Sequence, residues 1–325
     1  MMNDLYPLKF HPIPKEKIWG GEKLDKFLNK NFGFKNIGES WEISDVEGNS
    51  SVVSNGKFKG QELRKLVQTH KTALVGKKVY EDFGETFPLL IKFIDARENL
   101  SVQLHPDDEL AKKRHGSFGK TEMWYIMQAD EGSGLILGFK EKVQRQTYLQ
   151  HLEQKKLLQI LNFEKVKKGD VFFIKPGLVH AIGGGVLLAE IQQTSDITYR
   201  VYDWDRKDLN GKERELHTEL SLDAIDFEIG KNTKVNYEEK GNSLIPLVKN
   251  PYFKTNLISL SGKMDMDYNH RDSFTIFMAL EGKTQISIPG MAAEFLEMGE
   301  TLLIPACFEK VSLHAEKGKL LEICI

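Results

Sequence analysis

Cysteine is scarce in this chain of 325 residues: Cys307 and Cys324 are the two thiols. So placed, they cannot staple a fold of this length, and they lack the paired spacing of a thiolate zinc site. An excess of charge is also missing, with 45 Lys+Arg against 47 Asp+Glu and a formal net charge of −2. A nucleic-acid binder would carry a basic excess or a strongly basic patch, so no nucleic-acid partner is expected. No apolar run approaches the roughly 20 residues of a membrane helix. The opening MMNDLYPLKFHPIP has no apolar stretch behind a basic flank of the kind that directs secretion. Together these absences predict a soluble, cytoplasmic protein with no membrane partner and with free thiols. What is present is apolar material, 40% of the residues, enough for a sizeable core and too much for disorder. The length suits about two domains of ~100–200 residues each.

Most of that apolar material lies in strand-length runs between turns. LLIKFID (89–95), MWYIMQA (123–129), GLILGF (134–139), VFFIKP (171–176), VLLAEIQ (186–192), FTIFMALEG (274–282), TQISIPG (284–290) and TLLIPA (301–306) are rich in Val, Ile, Phe and Leu. Helical patterns are fewer. Gly60–Val75 has apolar residues at 63, 66, 67 and 74, Pro106–Lys113 opens with Pro and acids, and Thr147–Leu161 is a third candidate. The pattern predicts a mainly β fold, a sandwich or jelly roll with a few helices. A weak internal repeat, KGDVFFIKPGLVHA (168–181) against MGETLLIPACFEKV (298–311), suggests two β domains. The polar stretch Gly230–Asn242 reads as the linker between them, dividing the chain into 1–240 and 241–325.

SVQLHPDD (101–108) carries the clearest chemical signal. Alternate residues of a strand share a face, so Ser101, Gln103 and His105 point one way while Val102 and Leu104 pack. Glu122 stands directly before an apolar strand, and His180 follows a buried strand where Pro176 and Gly177 bend the chain. Two imidazoles and one carboxylate suit a catalytic site for a borderline metal such as zinc, with the Gln103 amide oxygen as a weak fourth ligand. Spacing alone leaves open the other reading, a set of satisfied packing residues. Further on, Glu190 closes an apolar strand, and Arg200 suits a planar oxyanion or a phosphate. A surface ion pair with Asp196 or Asp203 explains Arg200 equally well at this level.

Trp19-Gly20, GESWEIS (38–44), FPLLIKFIDA (87–96), LSVQLHPDD (100–108), GKTEMWYI (119–126), IKPGLVHAIGGG (174–185) and AEIQQTSDITYRVYDWDR (189–206) occur in one order over most of residues 1–210. In this the chain resembles the type I mannose-6-phosphate isomerases (phosphomannose isomerases), most closely the short bacterial members. The resemblance implies two cupin (double-stranded β-helix, jelly-roll) domains, one zinc ion per chain, and interconversion of mannose 6-phosphate and fructose 6-phosphate through an enediolate. It implies Gln103, His105, Glu122 and His180 as zinc ligands, and Lys92, Ser101 and Trp19 as substrate-binding residues, Lys92 and Ser101 at the phosphate-binding positions with Trp19 nearby. Lys120, Glu190 and Arg200 match catalytic positions, with the general base left open between Glu190, Lys120 and a metal-bound water. Aligning Pro176 with Pro305 puts Glu309 where His180 stands, so the C-terminal domain is expected to be metal-free. Another metal-dependent cupin enzyme, such as an oxygenase, and a non-enzymatic sugar-binding cupin are the competing classes. The partner expected is a small phosphosugar; the oligomeric state is not legible.

Overall fold

The computed structural model describes residues 4–207, 211–228 and 233–325. Its framework is three antiparallel sheets. The first runs Ile13–Gly21, Ile37–Ile43, Leu89–Ala96, Val186–Gln193, Glu122–Ala129, Val171–Ile174 and Lys234–Val235 in spatial order. The second runs Tyr199–Tyr202, Val102–Leu104, His180–Ile182, Gly134–Phe139 and Leu161–Lys165. In the third, Lys310–Cys324 lies between Lys254–Asp267 and Thr275–Ser287, with Ser243–Lys249 and Glu294–Glu297 outside them and Thr301–Ile304 also paired to Thr275–Ser287.

The seven-stranded sheet is covered on both faces, which is why Leu89–Ala96 and Val186–Gln193 are buried throughout rather than alternating. On one face Trp19, Ile94, Trp124, Phe172 and Leu188 pack against Leu135, Leu137 and Ile182 of the five-stranded sheet. On the other, Ile91, Phe93, Met123 and Ile191 meet Leu66 and Val67 together with Phe253, Leu257, Ile276 and Ile323 from the later part of the chain. The six-stranded sheet curls over a core of its own, with Ile258, Phe277, Leu302, Leu313 and Leu320 at its centre.

Several expectations need correction. The helix expected over Gly60–Val75 breaks into Leu63–His70 and Thr72–Val75, because Lys71 turns the backbone at φ 46°. That expected at Pro106–Lys113 spans Asp108–His115, since the Asp107 side chain accepts from the Leu110 amide and caps it. The segment Thr147–Leu161 holds a helix Arg145–Glu153 and a 3₁₀ turn Leu157–Gln159, interrupted near Lys155 at φ 57°. The runs 274–282 and 284–290 join into one strand, Thr275–Ser287, whose register slips twice rather than turning. Residues 229–232 lie outside the described residues, but the rest of the expected linker is not free. Lys234–Val235 pairs with Val171 and Phe172, and the Tyr237 hydroxyl donates to the Gly169 carbonyl at 2.6 Å.

The internal repeat is visible in the pairing. Met123 faces Phe173 as Ile276 faces Leu303, and in each case a proline turn leads to the next strand, which opens at His180 or at Lys310. Strand for strand, Lys310 rather than Glu309 therefore stands where His180 does, because one fewer residue separates Ile304 from its proline. Glu309 itself is exposed.

Candidate active site

Between the first two sheets the chain gathers a buried cluster. Gln103 and His180 are direct partners across adjacent strands; His105 follows the end of the Gln103 strand; Glu122 opens its own strand opposite Gln192. Donor atoms of His105, Glu122 and His180 all lie within 4.8 Å of one another, and each of these residues is 1% exposed. Both rings are fixed from behind. His105 Nδ1 donates to the Ile197 carbonyl at 2.8 Å and His180 Nδ1 to the Leu178 carbonyl at 2.9 Å. A carbonyl can only accept, so both protons sit on Nδ1 and both Nε2 lone pairs face the cluster. His105 Nε2 stands 3.2 Å from Glu122 Oε1 with no proton to share and no hydrogen bond to it, and Glu122 Oε2 is buried without a partner. Gln103 Nε2 lies 3.4 Å from His180 Nε2, a contact in which its amide oxygen can take the place of the nitrogen by a flip. Burial, with Lys120 adding to it, pulls His105 down to about 3 and holds it neutral. Burial also lowers His180, and Glu122 is kept ionised, against its own burial, chiefly by the Lys120 charge. Neutral imidazoles beside an ionised carboxylate are the state in which these groups ligate a cation.

The cluster opens into a cavity of about 440 Å³ lined by Trp19, Ser101, Gln103, Lys120, His180, Glu190 and Arg200 among others. Trp19 is held in the wall because Gly38 has no side chain: a Cβ there would come within 2.4 Å of the indole. Ser101 donates to Gln103 Oε1 at 3.2 Å.

A row of alternating charges runs along the seven-stranded sheet. Lys17 is 3.2 Å from Glu39, Glu39 is 3.7 Å from Lys92, and Lys92 is 2.7 Å from Glu190. Trp41 donates its indole N–H to Glu39 and Trp124 does so to Glu190, both at 2.7 Å. Burial works against the Glu39 charge, yet Lys92, Lys17 and Trp41 hold its carboxyl at about 2. Burial, with the Glu122 charge beside it, raises Glu190 in spite of Lys92. Lys92 stays protonated, its burial overcome by Glu190 and Glu39. This bears on the expected phosphate contact: two carboxylates already absorb the Lys92 charge. Lys120 is similarly engaged, 3.1 Å from Glu122.

Arg200 does not form the surface ion pair that the sequence left open. Asp203 is taken by Arg206, at 2.7 Å, and by Arg214. Arg200 instead sits on the strand beside Gln103, as its direct partner, with Nη1 donating to the Glu215 carbonyl at 2.8 Å and Nε buried without a partner. Burial lowers its pKa, and neighbouring Arg214 adds to this.

Residues beyond 240 reach this region as well. The Tyr252 hydroxyl donates to Asp108 Oδ2 at 2.6 Å; Asp108 Oδ1 accepts from Gln193 Nε2 at 3.0 Å; Gln193 Oε1 accepts from the Thr121 amide at 2.9 Å. Thr121 separates Lys120 from Glu122.

Sequence reasoning missed Lys15, Lys17, Glu39, Trp41 and Arg214, all in the cavity wall. Part of the signal was available. Lys15, Lys17 and Trp19 alternate along IPKEKIWGG, as Glu39 and Trp41 do along GESWEIS, and alternation puts each set on one face.

Fold and site together define a double-barrel β protein whose first barrel holds a His/Glu/His cluster at the floor of a charged cavity. The family model for the phosphomannose isomerase type I catalytic domain matches residues 8–132. The chain is 36% identical over 302 residues to the mannose-6-phosphate isomerase of Streptococcus mutans, covering 92% of each chain. It is also 36% identical over 302 residues to mannose-6-phosphate isomerase ManA of Bacillus subtilis, covering 92% of this chain and 93% of that one. A crystal structure of the mannose 6-phosphate isomerase from Bacillus subtilis superposes with a TM-score of 0.89 at 30% identity, over 99% of this chain and 100% of the other. The chain belongs to the type I phosphomannose isomerase family, a family of isomerase enzymes, and has its cupin fold. Among the described residues, no helix is long and apolar enough to cross a membrane.

Proposed function

We propose that the protein interconverts mannose 6-phosphate and fructose 6-phosphate with one zinc ion per chain, held by His105, His180, Glu122 and Gln103. The observation that carries this reading is the donor set: two Nε2 lone pairs and a carboxylate, buried and converging, with His105 Nε2 and Glu122 Oε2 left without a hydrogen-bond partner. A nitrogen- and oxygen-rich set of this kind with room for another ligand fits a catalytic zinc. When bound, the ion would supply Lewis-acid stabilisation of the charge developing on O1 and O2.

The chain's own groups do the rest. Glu190, raised by burial and with its two oxygens held by Trp124 and Lys92, carries the proton between C1 and C2. Arg200 presents a fixed cation to the enediolate oxygen and does not itself titrate. Lys120 adds a further charge to the wall and orients Glu122. Ser101 and Trp19 line the sugar's path. In this reading residues 1–240 carry the site, 241–325 form a metal-free packing partner, and the enzyme works in the cytoplasm.

Coupled turnover of mannose 6-phosphate by metal-stripped and zinc-reloaded protein tests the proposal. Stripping should abolish activity and one equivalent of zinc should restore it. His180→Ala should match the stripped protein and bind no zinc. Full activity with no metal detectable would sink the reading.

A further inference from the structure

Six cationic side chains line the cavity: Lys15, Lys17, Lys92, Lys120, Arg200 and Arg214. Four are matched to carboxylates. Lys17 has Glu39, Lys92 has Glu190 and Glu39, Lys120 has Glu122, and Arg214 has Asp203. Among the described residues, Lys15 and Arg200 have no carboxylate within ion-pair distance. Lys15 Nζ rests 4.3 Å from the centre of the Trp41 ring and donates to the Asn49 amide oxygen; Arg200 donates to a backbone carbonyl. An amide oxygen and a ring face orient an ammonium without neutralising it.

The proposed reaction brings two separate anionic loads into this cavity, a phosphate dianion and the oxygen of the enediolate. Among the described residues the cations with no ion-pair partner are also two, and they stand on different sheets. Arg200 is the strand partner of Gln103, beside the ligand cluster. Lys15 lies on the outermost strand of the seven-stranded sheet, with Glu39 as its strand partner. We propose that Lys15, seated on Trp41 and Asn49, is the anchor for the substrate's phosphate, leaving Arg200 to the reacting end. This rests on the sugar-phosphate reading above and moves the phosphate contact away from Lys92, whose charge is already spent on holding Glu190. Burial, with Lys17 adding to it, disfavours the charged form of Lys15, a cost that a bound dianion offsets.

The test is Lys15→Gln, which keeps a donor for Asn49 and removes the charge, with Lys15→Arg as the charge-preserving rescue. A lost charge-assisted contact weakens binding on the order of 10- to 100-fold. Lys15→Gln should raise KM for mannose 6-phosphate on that scale, leave kcat within about threefold, and weaken calorimetric binding of inorganic phosphate to the same degree. Lys15→Arg should recover most of both. Unchanged KM and phosphate binding in Lys15→Gln would overturn the proposal, as would a fall in kcat at constant KM, which would place Lys15 at the reacting carbons. The isomerase reading fails separately, by lack of turnover in the zinc-loaded wild type. In that event the phosphate titration still decides whether Lys15 is an anion seat.

Discussion

The two barrels share a strand frame and differ in what they leave unsatisfied. Glu190 pairs across the ladder with Trp124 on one side and Lys92 on the other; Glu322 pairs with Phe277 and Asn256 in the same arrangement. Glu122 and Thr275 occupy matching places opposite Ile174 and Ile304. In the first barrel the space between these positions is a cavity with bare lone pairs and, among the described residues, two cations unmatched by a carboxylate. In the second, Arg271 spans it. Its Nη1 donates to Glu322 at 2.7 Å and to Thr275 at 2.9 Å, while Asn256 donates to Glu322 at 2.6 Å and the guanidinium lies 4.0 Å from the centre of the Tyr268 ring. One frame thus gives a receptive site where polar groups await a ligand and a closed core where they satisfy each other.

The strongest way to break the comparison is Glu322→Ala. It strands Arg271 and should cost about 3 kcal/mol of stability, read by urea denaturation, with kcat per folded molecule unchanged. A large loss of kcat at unchanged stability would mean that the second barrel takes part in the chemistry. Next in size, Arg200→Lys keeps the charge but loses the planar fork, and should lower kcat on the order of 10²-fold while zinc content and KM hold. A normal kcat with a raised KM would make Arg200 a uniform binding group.

A third effect depends on pH. The Glu39 carboxyl sits at about 2 against an ordinary 4.5, so its contribution is fully present above 4.5 and is lost as pH falls towards 2. By linkage that contribution is about 3 kcal/mol near neutrality. Urea midpoints of the wild type should fall across this window, and those of Glu39→Gln should fall less steeply; parallel curves would remove Glu39 from the account. The smallest effect expected is from Tyr252→Phe, which removes the donor at the head of the Asp108–Gln193–Thr121 chain and should cost about 1 kcal/mol. Competition with a chelator should show zinc held less tightly, by under tenfold on the same scale. Unaltered retention would mean the hydrogen bonds only tie segments together.

Local pattern carried much of this into the sequence. The apolar runs became strands with little change, and the residues of SVQLHPDD, GKTEMWYI and KPGLVHA converge on one cluster. Non-local pairing carried the rest. Lys15 and Glu39 belong to strands far ahead of the ligand segments; alternation with Trp19 and Trp41 groups them on strand faces, but only the pairing of distant strands makes those faces a cavity wall. Arg271 reads as an ordinary surface charge until ladder register sets it against Glu322. The helix breaks at Lys71 and Lys155 put non-glycine residues at positive φ, where composition gives no warning.

The placement of Lys310–Cys324 between Lys254–Asp267 and Thr275–Ser287 has a consequence for how the protein is made. Both neighbours leave the ribosome before the strand that joins them. Until it arrives, each presents an open ladder edge, and Phe277 and Leu302 lack the cover of Leu313 and Leu320. The Leu8–Leu303 bridge ties early residues to that same late closure. Assembly dominated by such long-range pairings is slow and exposes sticky edges on the way. The nascent chain should therefore depend most on holding chaperones in the interval between synthesis of residue 287 and residue 324.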